Sequence, residues 1–312
     1  MGMVASRAVR VTAMPSRLGV VVVNWNNKTD TLRCVASVMQ SDCSPLILVV
    51  DNGSTDGSAQ AIQQAYPDLP ILRNADNLGF TGGYNIGIRH LMSRGVDHVL
   101  LINNDAIVEP YTLSALSRAA ISNPQAGFLG AKVCALEEPH TVLSAGGVLC
   151  DGWKPVHRGM GAVDMGQLDA LAEVDFLSGC ALLVSRRAIE ATGMLDEKFF
   201  AYYEDVEWCY RGKKAGFKVL FVPEARVLHP DTRQRDEDSP RVTYYLARNS
   251  LLFAQKHHLG APAIVCPLVS YMRTLLSWTL RSKWRHKRPQ RDALARGIWD
   301  FARGRWGQAE NL

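Results

Sequence analysis

Apolar and polar positions follow a repeating order along the first 130 residues. Residues 18–23 and 46–50 are continuous runs of Val, Leu and Ile with a single glycine. Both stop at polar clusters, Asn24-Trp25-Asn26-Asn27 and Asp51-Asn52-Gly53-Ser54. Runs apolar on both faces suit strands buried in a parallel sheet. Between them, residues 29–40 place Leu32, Val35, Ala36 and Met39 at helical spacing, and residues 58–65 repeat that pattern. Residues 71–73 read as a third strand, 84–93 as a helix, and 99–102 as a fourth strand ending in Asn103-Asn104-Asp105. This βαβα order predicts an α/β fold. Open sheets of this kind bind ligands at the carboxyl ends of their strands, so residues 18–130 are expected to form a nucleotide-binding half.

Beyond residue 130 the pattern changes to short strands at 128–134, 181–184 and 219–222 with Gly-rich connections. A second half, 131–255, is expected to extend the same sheet. Residues 199–214 read as an aromatic turn running into a helix, and 231–240, which lack apolar residues, as a mobile loop. Helical spacing resumes over 242–253 and continues, interrupted by Pro262 and Pro267, to Trp284, so 256–312 are expected to form a basic amphipathic helical extension. Residues 1–17 carry no apolar h-region and are expected to be a flexible tail rather than a secretory signal. Met1 to Ser6 fits the N-myristoylation pattern, a match short enough to arise by chance.

With 312 residues, 47% hydrophobic and 21% charged, the chain has room for one large or two modest globular domains. Collagen-like, disordered and disulfide-scaffold readings are excluded. The charge-free stretch between Lys256 and Arg273 contains both prolines and falls short of the roughly 20 residues a spanning helix needs. A multi-pass membrane protein is therefore not expected. Seven scattered cysteines without a C-x-x-C pair point to a reducing compartment and away from structural zinc. The net charge of +5 is concentrated: residues 281–305 hold nine Lys or Arg against Asp292 and Asp300, an excess of +7.

Four clusters carry candidate chemistry. Asp105 puts a carboxylate at the exposed end of a buried strand, where Mg²⁺ or Mn²⁺ can be held by one or two carboxylates with phosphates and water completing the shell. Asn-Asn-Asp can equally be a turn that caps its own backbone. Asp51, at another strand end, can bond a base or ribose, or simply belong to a well-capped βα turn. The glycines of 79–83 precede a helix, where free N–H groups can meet a phosphate. Glu204, Asp205 and Glu207 lie among six aromatic residues, and partly desolvated carboxylates can act as bases. Against that stands a helix N-terminus rich in acids, with Glu207 and Arg211 paired at i,i+4. His229, taken alone, reads as structural more readily than as a ligand.

The ordered set VVVNWNN, VVDNGSTDGS, NADNLGFTGGYNIGI, LLINNDAIVEP, FLSGCALLVSR, GMLDEKFFAYYEDVEWCYRGKKAGF, VLHP and YYLARN spans residues 18–255. It resembles the family 2 glycosyltransferases of the GT-A fold, and within them the bacterial rhamnosyltransferase-like group. The resemblance implies that Asp51 holds the donor nucleotide, with Asn24, Asn26, Asn77, Gly83 and Asn104 around the nucleotide and diphosphate. It implies that Asp105 and His229 hold Mg²⁺ or Mn²⁺, and that Asp205 of the Glu204-Asp205 pair is the catalytic base. Asn103 replaces the first acid of the family's DXD motif. The Gln-x-x-Arg-Trp motif of processive synthases is absent, which favours transfer of one sugar.

The expected activity is inverting transfer of one sugar, rhamnose among the candidates, from a nucleotide-diphosphate donor to a hydroxyl of a glycan or lipid-linked saccharide. The expected place is the cytoplasmic face of the cell membrane, with the C-terminal stripe and +7 cluster on anionic lipid and no nucleic acid bound. The alternative is that the same stripe packs on the catalytic domain or on a second subunit of a homodimer. A non-catalytic sugar-nucleotide-binding module needs no Glu204-Asp205. A nucleotidyltransferase would want a basic glycine-rich loop at residues 24–30, where the chain has Asn-Trp-Asn-Asn-Lys-Thr-Asp.

Overall fold

A computed structural model of the protein describes residues 17–309. The expected tail and the myristoylation pattern lie outside these residues, apart from Arg17. The first half comprises β1 (Leu18–Asn24), α1 (Lys28–Met39), β2 (Leu46–Asp51), α2 (Ser58–Ala65), β3 (Ile71–Arg73), α3 (Gly79–Ser93), β4 (His98–Asn103), β5 (Ile107–Val108) and α4 (Thr112–Ser122). The second half comprises β6 (Ala126–Ala135), β7 (Val142–Ser144), β8 (Gly147–Cys150), β9 (Lys154–His157), β10 (Ala172–Glu173), β11 (Ala181–Ser185), α5 (Arg186–Thr192), α6 (Glu204–Lys214) and β12 (Lys218–His229). The chain continues through α7 (Arg233–Asp238), α8 (Pro240–Lys256), α9 (Ala261–Leu280), a 3₁₀ turn (Ser282–Lys287) and α10 (Arg288–Ala302).

One mixed sheet runs β10-β12-β6-β11-β4-β1-β2-β3. The strands β1, β2, β3 and β4 are parallel, as continuous apolar runs predict, and β11 enters antiparallel between β4 and β6. Every residue of β6 is buried. Each sheet face has its own core: Val35, Ile62 and Leu116 pack on one side, and Tyr84, Ile88, Trp208 and Phe253 on the other.

Three expectations need correction. The helix placed at 84–93 begins at Gly79, so the glycine run is its first turns rather than a loop before it. A Cβ on Gly83 would stand 2.8 Å from a methyl of Val23 and 3.2 Å from the Asn52 amide, so the glycine lets α3 lie against β1. Residues 231–240 are not a featureless loop: α7 forms there, with Thr232 hydrogen-bonded to Asp236 and Arg233 to Asp231. Finally, the prolines do not interrupt α9, which runs unbroken for 20 residues with a mean hydropathy of 1.3. Pro262 sits in the first turn, where a missing N–H costs nothing. Pro267 lies inside, and its burial offsets the lost backbone bond. By length and composition α9 is sufficient to cross a membrane.

Candidate functional site

The strand ends of β1, β2 and β4 converge, and the polar clusters after them form a connected frame. Asn24 is fully buried, with its amide donating to Asp51 Oδ1 (2.8 Å) and Ser58 Oγ (2.7 Å) while its Oδ1 accepts from Thr31 (2.7 Å). Asp51 also receives the Ser54 N–H. Asn26 accepts from the Thr55 N–H at 2.8 Å and latches the two loops together. Among the predicted donor residues, Asn24, Asp51 and Gly83 therefore stand behind the cleft, their polar atoms or backbone used in holding it. Asn77, Asn104 and Asp105 line it.

This cleft, about 350 Å³, has walls from segments as far apart as Val23 and Arg241. Sequence reasoning passed over three of its members. Asn52 spans it from below, donating to Asn77 Oδ1 (2.9 Å) and accepting from the Leu78 N–H (3.1 Å). Trp25 is 43% exposed at its rim. Arg241, from the start of α8, stacks its guanidinium over the Trp25 ring at 5.3 Å and the Phe200 ring at 5.7 Å. A cation between aromatic faces in a cleft suits an anionic ligand with a flat base. The exposed Trp25 was the one signal of this in the sequence; its pairing with a residue far along the chain was not visible.

Asp105 and His229 meet at the cleft's inner end, with Oδ1 and Nε2 3.1 Å apart and Asn103 Nδ2 3.3 Å from the same ring nitrogen. His229 Nδ1 lies 2.8 Å from the Pro230 carbonyl oxygen, which only an N–H can satisfy. Nε2 therefore turns its lone pair, or a second proton, toward the carboxylate. Burial opposes protonation of His229, but the hydrogen bond and charge of Asp105 raise its pKa, so the two form an ion pair as they stand. Burial opposes ionisation of Asp105, but the hydrogen bond and charge of His229 hold its carboxyl below the usual range. One carboxylate and one imidazole, completed by phosphate oxygens and water, are a set that a hard divalent ion accepts. No third His, Cys, Asp or Glu joins them among the described residues.

A second, larger cavity of about 930 Å³ opens on the other side of Asn103 and contains Glu204 and Asp205. Phe80, Asn103, Ala201 and Tyr202 line both cavities and mark where they join. The turn before the pair is strained: Phe200, Tyr202 and Tyr203 have φ of 63°, 68° and 73°, a region that non-glycine residues rarely occupy. The Asn249 amide pins it, donating to the carbonyls of Phe199, Ala201 and Tyr202 at 2.8–2.9 Å, and Arg248 donates to Lys198 and Phe199 at 3.1 Å. The Arg-Asn of the YYLARN segment thus holds the turn that presents the acids.

Asp205 Oδ2 accepts the Gly179 N–H at 2.8 Å and Oδ1 its neighbour's N–H at 2.7 Å. Gly179 permits this approach, since a Cβ there would meet the Phe80 ring at 2.9 Å. Burial raises the Asp205 pKa, and these N–H groups oppose the rise. Glu204 is pushed much further up, by burial and then by the charge of Asp205. Its Oε2 has no hydrogen-bond partner. Neighbouring acids in these environments divide into one kept neutral and one that ionises. His157 of β9, bonded to Ser144 at 2.9 Å, lines the same cavity, where burial keeps its imidazole neutral against the pull of Asp205. The expected Glu207–Arg211 pair is present at 2.9 Å, with Glu207 buried below the cavity.

The family described as "Glycosyltransferase like family 2" matches residues 15–245. The chain is 30% identical over 287 residues to an N-acetylglucosaminyl-diphospho-decaprenol L-rhamnosyltransferase of Mycobacterium tuberculosis, covering 86% of this chain and 90% of that protein. It is 25% identical over 255 residues to the dTDP-rhamnosyl transferase RfbF of Shigella flexneri, covering 79% and 82%. Among solved structures, the mannosyltransferase PcManGT from Pyrobaculum calidifontis, in complex with GDP-Man and Mn²⁺, superposes with a TM-score of 0.58 at 15% identity, over 93% of this chain and 88% of that one. S. aureus TarS superposes at 0.57 and 17% identity, over 91% and 49%. The GT-A fold expected from the sequence is the fold adopted.

Proposed function

The chain belongs to the family 2 glycosyltransferases, and on that premise we propose that it transfers one L-rhamnose from dTDP-rhamnose to a hydroxyl of a lipid-linked saccharide, inverting the anomeric centre. One observation carries this reading: the cleft with Asp105 and the cavity with Asp205, supplied by distant parts of the chain, open into each other at Asn103 and Tyr202. Donor and acceptor can meet there. Trp25 and Arg241 receive the nucleotide diphosphate, with Asn77 and Asn104 along its length. Asp51, Asn24 and Asn26 keep the strand-end loops in register beneath it.

Asp105 and His229 would hold a divalent ion, Mg²⁺ or Mn²⁺, which when bound would stabilise the charge of the departing nucleotide diphosphate. Asp205, oriented by Gly179, takes the proton from the acceptor hydroxyl as its oxygen attacks the anomeric carbon. Glu204, neutral beside it, keeps a second negative charge away from the base. One base and one displacement give inversion. The exposed face of α9 and the basic residues after it support a peripheral position on the cytoplasmic face of a membrane.

Mass-spectrometric detection of donor cleavage across UDP-, dTDP- and GDP-sugars tests the reading. Cleavage of dTDP-rhamnose, dependent on added Mg²⁺ or Mn²⁺, is expected. Cleavage of none of the donors, with or without acceptor, would reduce the chain to a binding module.

A further inference from the structure

The large cavity does not end at its protein walls. Cys266 and Ser270 of α9 form its outer margin, and the same two residues open a second groove of about 540 Å³. The groove continues past Arg273, Ser277, Trp278 and Trp284. Cys266, Ser270, Arg273 and Ser277 follow one another in steps of four, three and four, which places them on one face of the helix.

The neighbouring face is apolar and uncovered. Val265, Val269, Met272, Leu276 and Leu280 are each more than half exposed. The first four precede the four groove residues by one position, so the stripe lies about 100° around the helix from the groove. The groove thus runs along the edge of an apolar surface that faces outward.

Its charge has one sign. Arg273 is the one charged residue of α9 and has no carboxylate partner among the described residues. Lys283 stands 5.0 Å over the ring of Trp284, and Arg281, Arg285 and Arg288 lie in the same segment, where Lys287 is paired with Asp238. Cations beside indole rings, at the border of an apolar strip, match a ligand with an anionic head and a hydrocarbon tail. From Cys266, at the cavity margin, to Arg273 the helix advances about 10 Å. That leaves room for a saccharide between a phosphate at Arg273 and the base.

We propose that this groove binds the diphosphate and first isoprene units of the acceptor, with Arg273 as a phosphate ligand and the tail leaving along the Val265–Leu280 stripe. This rests on the reading of a lipid-linked acceptor given above. The saccharide end then enters past Cys266 and Ser270 toward Asp205.

The test is calorimetric titration of the full chain with farnesyl diphosphate while excess Mn²⁺ and dTDP fill the donor cleft. Parallel titrations use farnesol and inorganic diphosphate. Farnesyl diphosphate is expected to bind more tightly than either, and Arg273→Gln to weaken it about tenfold, the scale of one charge-assisted contact, with Arg273→Lys recovering part of the loss. Arg273 is exposed, so these variants keep the fold, and unchanged binding of dTDP serves as the check. Equal affinity of wild type and Arg273→Gln overturns the proposal, as does loss of all farnesyl diphosphate binding when dTDP is added, which would put the probe in the donor cleft. Transfer assays judge the underlying reading separately: Arg273-dependent binding together with transfer only to lipid-free saccharides would leave the groove standing and refute the lipid-linked acceptor.

Discussion

Glu207→Gln is the substitution whose cost the structure states most directly. Glu207 has no exposed surface, and its carboxylate lies 2.9 Å from Arg211, 2.9 Å from Lys256 and 3.0 Å from His257. Burial alone would raise its pKa. The hydrogen bonds from His257 and Arg211 and the charges of Arg211 and Lys256 outweigh burial and bring the pKa from 4.5 to about 2. At about 1.4 kcal/mol per tenfold change in proton affinity, the ionised form contributes ~3 kcal/mol to stability. That agrees with the 3–5 kcal/mol typical of removing one partner from a buried ion pair. The pKa is depressed in the folded state, so the contribution is complete above 4.5 and fades as the pH falls through about 2. Urea unfolding followed by far-UV circular dichroism should show wild type about 3 kcal/mol more stable than Glu207→Gln at neutral pH. The gap should hold down to about pH 5 and narrow below it. A neutral-pH difference under about 1 kcal/mol, the value of an exposed pair, would refute the reasoning, and so would a gap of constant size down to about pH 3.

Asp205→Asn is expected to abolish transfer while leaving nucleotide binding, read by tryptophan quenching, within about twofold of wild type. Because burial raises the Asp205 pKa above its ordinary 3.8 and only the ionised base is active, the rate should fall as pH drops through a midpoint above 3.8; Glu204 and His157 face the same group, and a flat profile down to about pH 4 counts against the assignment. Asp105→Ala should lose activity while keeping the far-UV circular dichroism of wild type, with a lower melting temperature because the ion pair with His229 is lost, and full turnover in excess EDTA would sink the metal role. Arg241→Met should raise the donor KM about tenfold with little change in acceptor KM, and the reverse pattern would remove Arg241 from the donor cleft. In liposome flotation the chain should bind anionic vesicles in a salt-sensitive way and lose that binding on Val269→Asp with Leu276→Asp; equal recovery with and without anionic lipid would make the α9 stripe a contact between copies.

The strands of the first half were legible because a parallel strand buried on both faces needs an unbroken apolar run, and β1, β2 and β4 have one each. The start of α3 was not, since glycine is a poor helix former and Gly79, Gly82 and Gly83 read as loop. Close packing decided that segment: Gly83 and Gly87 let the helix rest on Val23 and Val21. Pro267 misled in the same way, because local propensity predicts a break while burial of the ring permits continuation. Residue type after the strands picked out Asn77, Asn104 and Asp105, which line the cleft. It could not separate them from Asn24 and Asp51, whose polar atoms are consumed by one another. Arg241 and His157 were invisible for a different reason: each reaches the site only through tertiary contact, with no motif around it.

The strained turn before Asp205 shows why the C-terminal residues cannot be treated as an appendage to the catalytic domain. Three residues in the left-handed region cost of order 1–3 kcal/mol each and persist only where their surroundings over-determine them. The surroundings here come from α8, through Arg248 and Asn249, and α8 is itself fixed from further along the chain. Arg248 also donates to the Gly307 carbonyl at 2.7 Å, Tyr244 donates to Asp300 at 2.8 Å, and the Gly307 N–H returns to Lys198 at 2.9 Å. The ring closes on the turn that carries Asp205. Position of Asp205 is therefore set by α8 and α10, and α9 joins them where Ser250 of α8 and Tyr271 of α9 meet at 2.8 Å, so a surface that orients α9 also bears on the cavity in front of Asp205.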